Sequence, residues 1–303
     1  MPDLPGLLVR LDPAGAPGLP VGTPVLAGEA VETLFPAAQP CGRSGAFGLF
    51  RDGDWLLGQA QCEVGDDAET ATHRLYADLF GAVGPHALAR VWNYVPSIND
   101  VALSGMENYR AFCRGRSLAF EERFGPAFAG RAPAASAVGC EGGVLTIVFA
   151  AHAGGAEHIE NPLQVPAYDY PAEHGPRAPT FSRATIVTRA DQRRTVFLSG
   201  TSAIRGHASV APGDTPAQLA CTLENLRELA VACGLGPDFA SARPGRRHIK
   251  VYLRHAADLG HARAQLEGPF IRPEDRVSYV RADICRRELN VEIEVSLLDV
   301  APA

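Results

Sequence analysis

The sequence predicts an α+β fold of two similar units, each a mixed sheet with helices packed on one face. Two observations lead there. The order hairpin, helix, strand, helix can be read twice along the 303 residues. Between the two passes lies GRAPAASAVG, at 130–139, rich in Ala, Gly and Pro as linkers and turns are. The units are therefore expected at 1–135, an N-terminal α+β domain, and at 136–303, a C-terminal domain with two further strands at its end. A chain of this length can bury a core in each.

In the first pass, GAFGLFRDGDWLLGQAQ at 45–61 has two apolar runs around Asp52 and Gly53, residues that supply turn chemistry, and reads as a hairpin. A helix follows at about 68–83, then ALARVWNYVP as a strand closed by Pro96. ENYRAFCRGRSLAFEERFG, at 107–125, repeats apolar and aromatic residues at helical spacing. In the second pass, RATIVTRADQRRTVFLSG at 183–200 is a hairpin, and TPAQLACTLENLRELAVACG at 215–234 a helix. Asp214 or Thr215 caps this helix, Pro216 opens it and Gly234 stops it. Its Leu219, Leu223, Leu226 and Leu229 form an apolar stripe, so that face belongs to the core. HIKVYLRH is the next strand, AADLGHARAQLEG the last helix, and VSYVRAD and NVEIEVSLL close the chain. Residues 152–180 carry five prolines and little periodicity, which predicts a long structured loop covering a site.

Composition removes several function classes. Hydrophobic residues make up 46% and charged residues 20%, a globular balance. Net charge is -6 with scattered basic residues, so a nucleic-acid footprint is missing. The start, MPDLPGLLVRLDP, has no basic n-region followed by an apolar run, and no later stretch is long enough for a membrane span, which predicts a cytoplasmic protein. Seven cysteines without CxxC spacing predict reduced thiols rather than a disulfide frame or zinc ribbon. The only lysine, Lys250, follows no glycine-rich loop, which removes a P-loop. Histidines 152 and 158, or 255 and 261, do not fit HExxH, so no metal is expected.

Three features carry candidate chemistry. In NVEIEVSLL, alternation puts Glu292 and Glu294 on one face of a strand. The pattern alone reads as a half-buried strand with a solvated acidic side; the functional alternative is a general acid inside a pocket. Arginines recur near turns and strand ends, at 110, 114, 116, 177, 183, 276, 281, 286 and 287. Their planar forks would suit a dicarboxylate, although single arginines are mostly surface groups. Finally, SGTSAIRGH offers Gly200 and Gly206 for close backbone approach to a ligand. Its Ser202 and His207 do not make a GxSxG hydrolase.

WNYVPSIN, NYRAFCRGR, ENPLQVPAYDYPAEHGPRAPTFSRA, FLSGTSAIRGH and ADICRRELNVEIE, spread over about residues 90–298, together resemble the chorismatases, including the bacterial 3-hydroxybenzoate synthases. The resemblance implies units akin to the RidA (YjgF) and AroH-type chorismate mutase architecture, with a RidA-like second domain whose closing strand carries VEIE. It implies cleavage of chorismate with release of pyruvate, without metal or cofactor. It makes Glu292 the acid that protonates the enolpyruvyl methylene, and so replaces the solvated-face reading of the closing strand. By position in the motifs, Arg183, Arg110 and Arg116 grip carboxylates, with Tyr168 or Tyr170 beside them, and Arg276 stands where RidA proteins hold a carboxylate. Cys285, just before VEIE, looks like the hydroxybenzoate-forming type, whereas Ser202 stands where alanine or glycine is expected. The product is thus left open among 3-hydroxybenzoate, 4-hydroxybenzoate and a trans-dihydrodiol. A RidA-like imine hydrolase and a non-catalytic metabolite binder are the competing readings. The partner expected is the small-molecule substrate, with no nucleic acid or membrane, and a monomer is favoured because two units in one chain can build the site internally.

Overall fold

A computed structural model describes residues 4–11, 18–237, 239 and 246–301. Its layers run helix, sheet, sheet, helix. The first sheet has six strands in the spatial order Gln39–Ser44, Phe47–Asp52, Trp55–Glu63, Val144–His152, Ala87–Pro96 and Ala134–Cys140. The second has nine, in the order Glu157–Ile159, Ala184–Thr188, Arg194–Thr201, Val291–Val300, Arg246–Leu253, Arg276–Arg281, Leu19–Gly28, Gly6–Val9 and Val31–Glu32. Both are mixed, as expected: Ala87–Pro96 pairs in parallel with Ala134–Cys140, and Arg246–Leu253 with Arg276–Arg281.

Helices α1 (Ala68–Val83) and α2 (Asn108–Phe124) cover the outer face of the first sheet. Leu75, Tyr76, Leu79 and Phe80 of α1 share a core with Phe112 and Phe120 of α2 and with Val91, Val95, Ile147 and Phe149 of the strands. Gly115 lets α2 lie tight on α1, because a Cβ there would stand 2.3 Å from the carbonyl oxygen of Glu69. Helices α3 (Thr215–Ala232) and α4 (Leu259–Leu266) cover the second sheet. The Asp214 side chain caps α3 by accepting from the Ala217 amide, and the leucine stripe packs on Ile249, Val251, Ile293 and Val295.

The inner faces of the two sheets meet in a third core, where Trp55, Trp92 and Tyr94 pack with Phe197, Tyr252 and Leu298. The sheets divide the chain differently from the expected boundary near 135. That position lies within a strand of the first sheet, which continues to His152, while the strands between Gly6 and Glu32 belong to the second. The local Ala/Gly/Pro signal marked the start of a buried strand, Ala134–Cys140, rather than a linker. Among the described residues, no helix is long and apolar enough to cross a membrane.

Candidate active site

The closing strand Val291–Val300 is buried along nearly its whole length, between neighbours on both edges and a layer on each face. Its odd positions, Ile293 and Val295, point to α3. Its even positions therefore enter the space between the sheets, and the acidic side is not solvated: Glu292 and Glu294 are 4% and 2% exposed.

The two carboxyls meet opposite environments. Glu294 accepts from the Arg90 guanidinium at 2.7 Å and the Trp92 indole at 2.9 Å, and pairs with Lys250 at 2.8 Å. Burial would raise it, but the Lys250 and Arg90 cations outweigh burial and hold it below the usual carboxylate range. Glu292 has no cation against it. Its one hydrogen bond among the described residues is a long one from Ser202 Oγ, 3.4 Å. Burial, and then the Glu294 carboxylate, push its carboxyl up to about 8, against smaller pulls from Arg90, Ser202 and Arg183. The result is one ionised and one protonated carboxyl on the same strand face.

Glu292 opens onto a cavity of about 210 Å³ built by both units. Cys285, Ser202, Arg183, Arg110, Arg116 and Tyr170 also line it, so seven of the nine residues singled out in the sequence converge. Arg116 is 1% exposed and lies over the Phe112 ring at 4.9 Å. Arg183 donates to the Tyr170 hydroxyl at 2.7 Å and the Val165 carbonyl at 3.0 Å, and stacks near Phe181 at 5.1 Å. Cys285 is held as a neutral thiol, pushed up to about 12 by burial and then by Glu292.

Two of the nine are not brought to the cavity. Arg276 begins its strand, while Val280 is the residue level with Tyr252 and so with Glu292; Arg276 instead pairs with Glu29 at the surface, 3.3 Å away. Tyr168 lies beside Glu160, away from the cavity wall.

Sequence reasoning left out His174 and Phe181 and named Arg286 only among the recurring arginines; all three also line the cavity. Arg286 adjoins Cys285 and stood in the arginine-rich run, but no local pattern separates it from its surface neighbours. Gly200, expected to let the backbone approach a ligand closely, makes room for Glu292 instead: a Cβ there would stand 1.9 Å from Glu292 Oε1. Among the described residues, buried N–H groups of three arginines that line the cavity, Arg116 Nε, Arg183 Nε and Arg286 Nη2, have no hydrogen-bond partner. Donors left unmet in this way are costly.

Comparison with known proteins places the chain in a family. Residues 34–151 match the model of the family described as "Chorismatase FkbO/Hyg5-like, N-terminal". A chorismatase of Streptomyces rapamycinicus is 39% identical over 260 residues, covering 80% of this chain and 75% of that one. A 3-hydroxybenzoate synthase of Streptomyces hygroscopicus is 40% identical over 238 residues, covering 74% and 68%. The crystal structure of a chorismatase superposes with a TM-score of 0.78 at 32% identity, over 86% of this chain and 80% of that one. With identity of this level sustained over two thirds or more of each relative, the chain belongs to the chorismatase family.

Proposed function

We propose that this protein cleaves chorismate into pyruvate and a hydroxybenzoate, 3-hydroxybenzoate, with Glu292 as the general acid. The observation that carries the reading is a carboxyl held protonated to about pH 8 in a cavity lined by Arg110, Arg116, Arg183 and Arg286. The cavity is smaller than the roughly 300–1,000 Å³ of sites for drug-sized ligands, which suits a compact metabolite.

In this reading the Glu292 O–H transfers its proton to the methylene carbon of the enolpyruvyl ether. The adjacent ether carbon becomes an oxocarbenium ion, and the Glu292 carboxylate left behind stabilises it. Arg183, Arg116 and Arg286 hold the two carboxylates through charge-assisted hydrogen bonds, which fix the ether over Glu292. The ring's own hydroxyl then attacks the ring carbon that bears the ether, whose bond to the ether oxygen breaks to release pyruvate; as the ring aromatises it loses one proton, which returns to the Glu292 carboxylate. Pyruvate and hydroxybenzoate together account for every atom of chorismate, so no water is consumed and no oxidant is needed. The neutral Cys285 thiol supplies no thiolate nucleophile; its place in the reading is as a wall beside Glu292. The relative named 3-hydroxybenzoate synthase supports this product.

The test is to incubate the purified protein with chorismate in EDTA-containing buffer, follow pyruvate with coupled lactate dehydrogenase, and identify the ring product by chromatography. Pyruvate with 3-hydroxybenzoate is expected. Pyruvate with a dihydrodiol or 4-hydroxybenzoate would keep Glu292 as acid and correct the product, whereas no pyruvate would overturn the reading.

A further inference from the structure

At the mouth of the cavity three potential ligands come from two separate segments. Glu173 and His174 belong to the proline-rich loop, in the short turn Ala172–His174, and His207 lies in the turn between the paired strands Ile204–Arg205 and Ala208–Ser209. They are the one group of three or more His, Cys, Asp or Glu with metal-ligand spacing among the described residues. Histidine spacing in the sequence pointed to no metal, because the partners are 33 residues apart and meet only in the fold.

The two imidazoles are hydrogen-bonded to each other, and the spacing of the three ligand atoms also suits a cation. His174 Nε2 and His207 Nδ1 are 3.1 Å apart, and Glu173 Oε1 is 3.4 Å from the first and 3.5 Å from the second. A single carboxylate oxygen thus faces two ring nitrogens, with both separations beyond good N–H···O distances. In a tetrahedral zinc site with bonds of about 2.05 Å, ligand atoms are about 3.35 Å apart. The triangle of 3.1, 3.4 and 3.5 Å is close to one face of that tetrahedron, and an ion can sit about 2.05 Å from all three atoms.

The ligands are also held in place. Arg110 donates to the Glu173 carbonyl at 3.3 Å, and Arg286 to the His207 carbonyl at 2.9 Å. The Tyr170 ring packs against both imidazoles, with centroids 5.2 and 6.4 Å away.

We propose that Glu173, His174 and His207 form a three-ligand site for zinc or a similar borderline divalent cation, which staples the proline-rich loop to the Ile204–Ser209 hairpin at the cavity mouth. Two imidazoles and one carboxylate are a donor set that zinc takes, with the fourth position left to water. The Glu173 side chain is 66% exposed, so the ion has access from solvent. Because Tyr170 touches both imidazoles and accepts from Arg183, the ion fixes a wall of the cavity without taking part in proton transfer.

The test uses the full chain stripped of metal with a chelator and then titrated with Zn²⁺ by calorimetry and with Co²⁺ by visible absorption. His207→Ala and Glu173→Gln serve as variants, since neither side chain lines the cavity; both are expected to keep chelator-insensitive pyruvate release, which shows that they fold. One equivalent of Zn²⁺, a strong tetrahedral Co²⁺ band, a melting temperature raised by Zn²⁺, and affinity weakened about tenfold or more in each variant would support the site. No saturable uptake by the wild type, unchanged affinity in either variant, or thiolate-to-cobalt charge transfer, which would place the ion at a cysteine such as the exposed Cys41, would overturn it.

Discussion

At Glu292 the proton that the proposed mechanism needs is kept by the fold at a cost in stability, and the two can be measured together. The unfolded carboxyl ionises near 4.5, the folded one at about 8. Below about pH 4.5 both states are protonated and the contribution is intact; as pH rises towards 8 the unfolded state gains charge that the folded state resists, so this contribution is lost. At about 1.4 kcal/mol per pKa unit, the loss reaches a few kcal/mol. Glu292→Gln removes the titration. Relative to the wild type, its stability in denaturant should improve steadily from about pH 5 to about pH 9, while pyruvate release falls by about 10²-fold or more. A stability difference independent of pH would show that Glu292 titrates normally. In the wild type, pyruvate release should decline as pH rises through about 8, because the carboxylate cannot donate. Gly200→Ala tests the same carboxyl sterically. Its Cβ would overlap Glu292 Oε1, so the variant should lose most activity and about 1–3 kcal/mol of stability; wild-type pyruvate release by a folded variant would contradict this geometry.

The closing strand shows how far element-scale reading reaches. Alternation in NVEIEVSLL correctly placed both glutamates on one face, and the limits of α1, α2 and α3 follow from apolar spacing and caps close to where they were expected. What alternation cannot say is what lies opposite a face. The partners of Glu294, Arg90 and Trp92, are over 200 residues away in the sequence, and Lys250 reaches Glu32 across 218. The same limit explains Arg276: a residue's height on its strand is set by register with neighbouring strands, which no local pattern encodes. It also explains why the strands Gly6–Val9, Leu19–Gly28 and Val31–Glu32 gave no sign of extending the second sheet. The buried cluster makes a prediction of its own. Lys250 lies 2.8 Å from both Glu32 and Glu294 and is 3% exposed. Lys250→Met would leave Glu32 without this partner and Glu294 with Arg90 as its remaining cation. A loss of about 3–5 kcal/mol is expected, measured by denaturant unfolding near pH 7; a loss below about 1 kcal/mol, the value of an exposed pair, would contradict the geometry.

For the whole molecule, the cavity and the charge cluster both draw on the two sheets, so the units are tied where the proposed site lies. Arg116 comes from α2 over the first sheet, and Arg183 and Glu292 from the second unit. Between the sheets, Trp55 and Trp92 set their rings edge-on to Phe197 at 6.0 and 5.9 Å, and the Trp92 indole donates to Glu294. Both tryptophans are in the first sheet, yet each reports on contact with the second. Separating the sheets would expose these aromatic faces and strand Glu294 without Arg90, which makes a state with parted but intact units expensive. Unfolding should therefore be a single cooperative event despite the length of the chain. In a denaturant titration, tryptophan fluorescence, which reads the layer between sheets, and far-UV circular dichroism, which reads all strands and helices, should give superimposable transitions that also coincide with loss of pyruvate release. If fluorescence and activity changed well before dichroism, the sheets would be parting first, and the site would then depend on a docking equilibrium between two independently stable units rather than on one cooperative core.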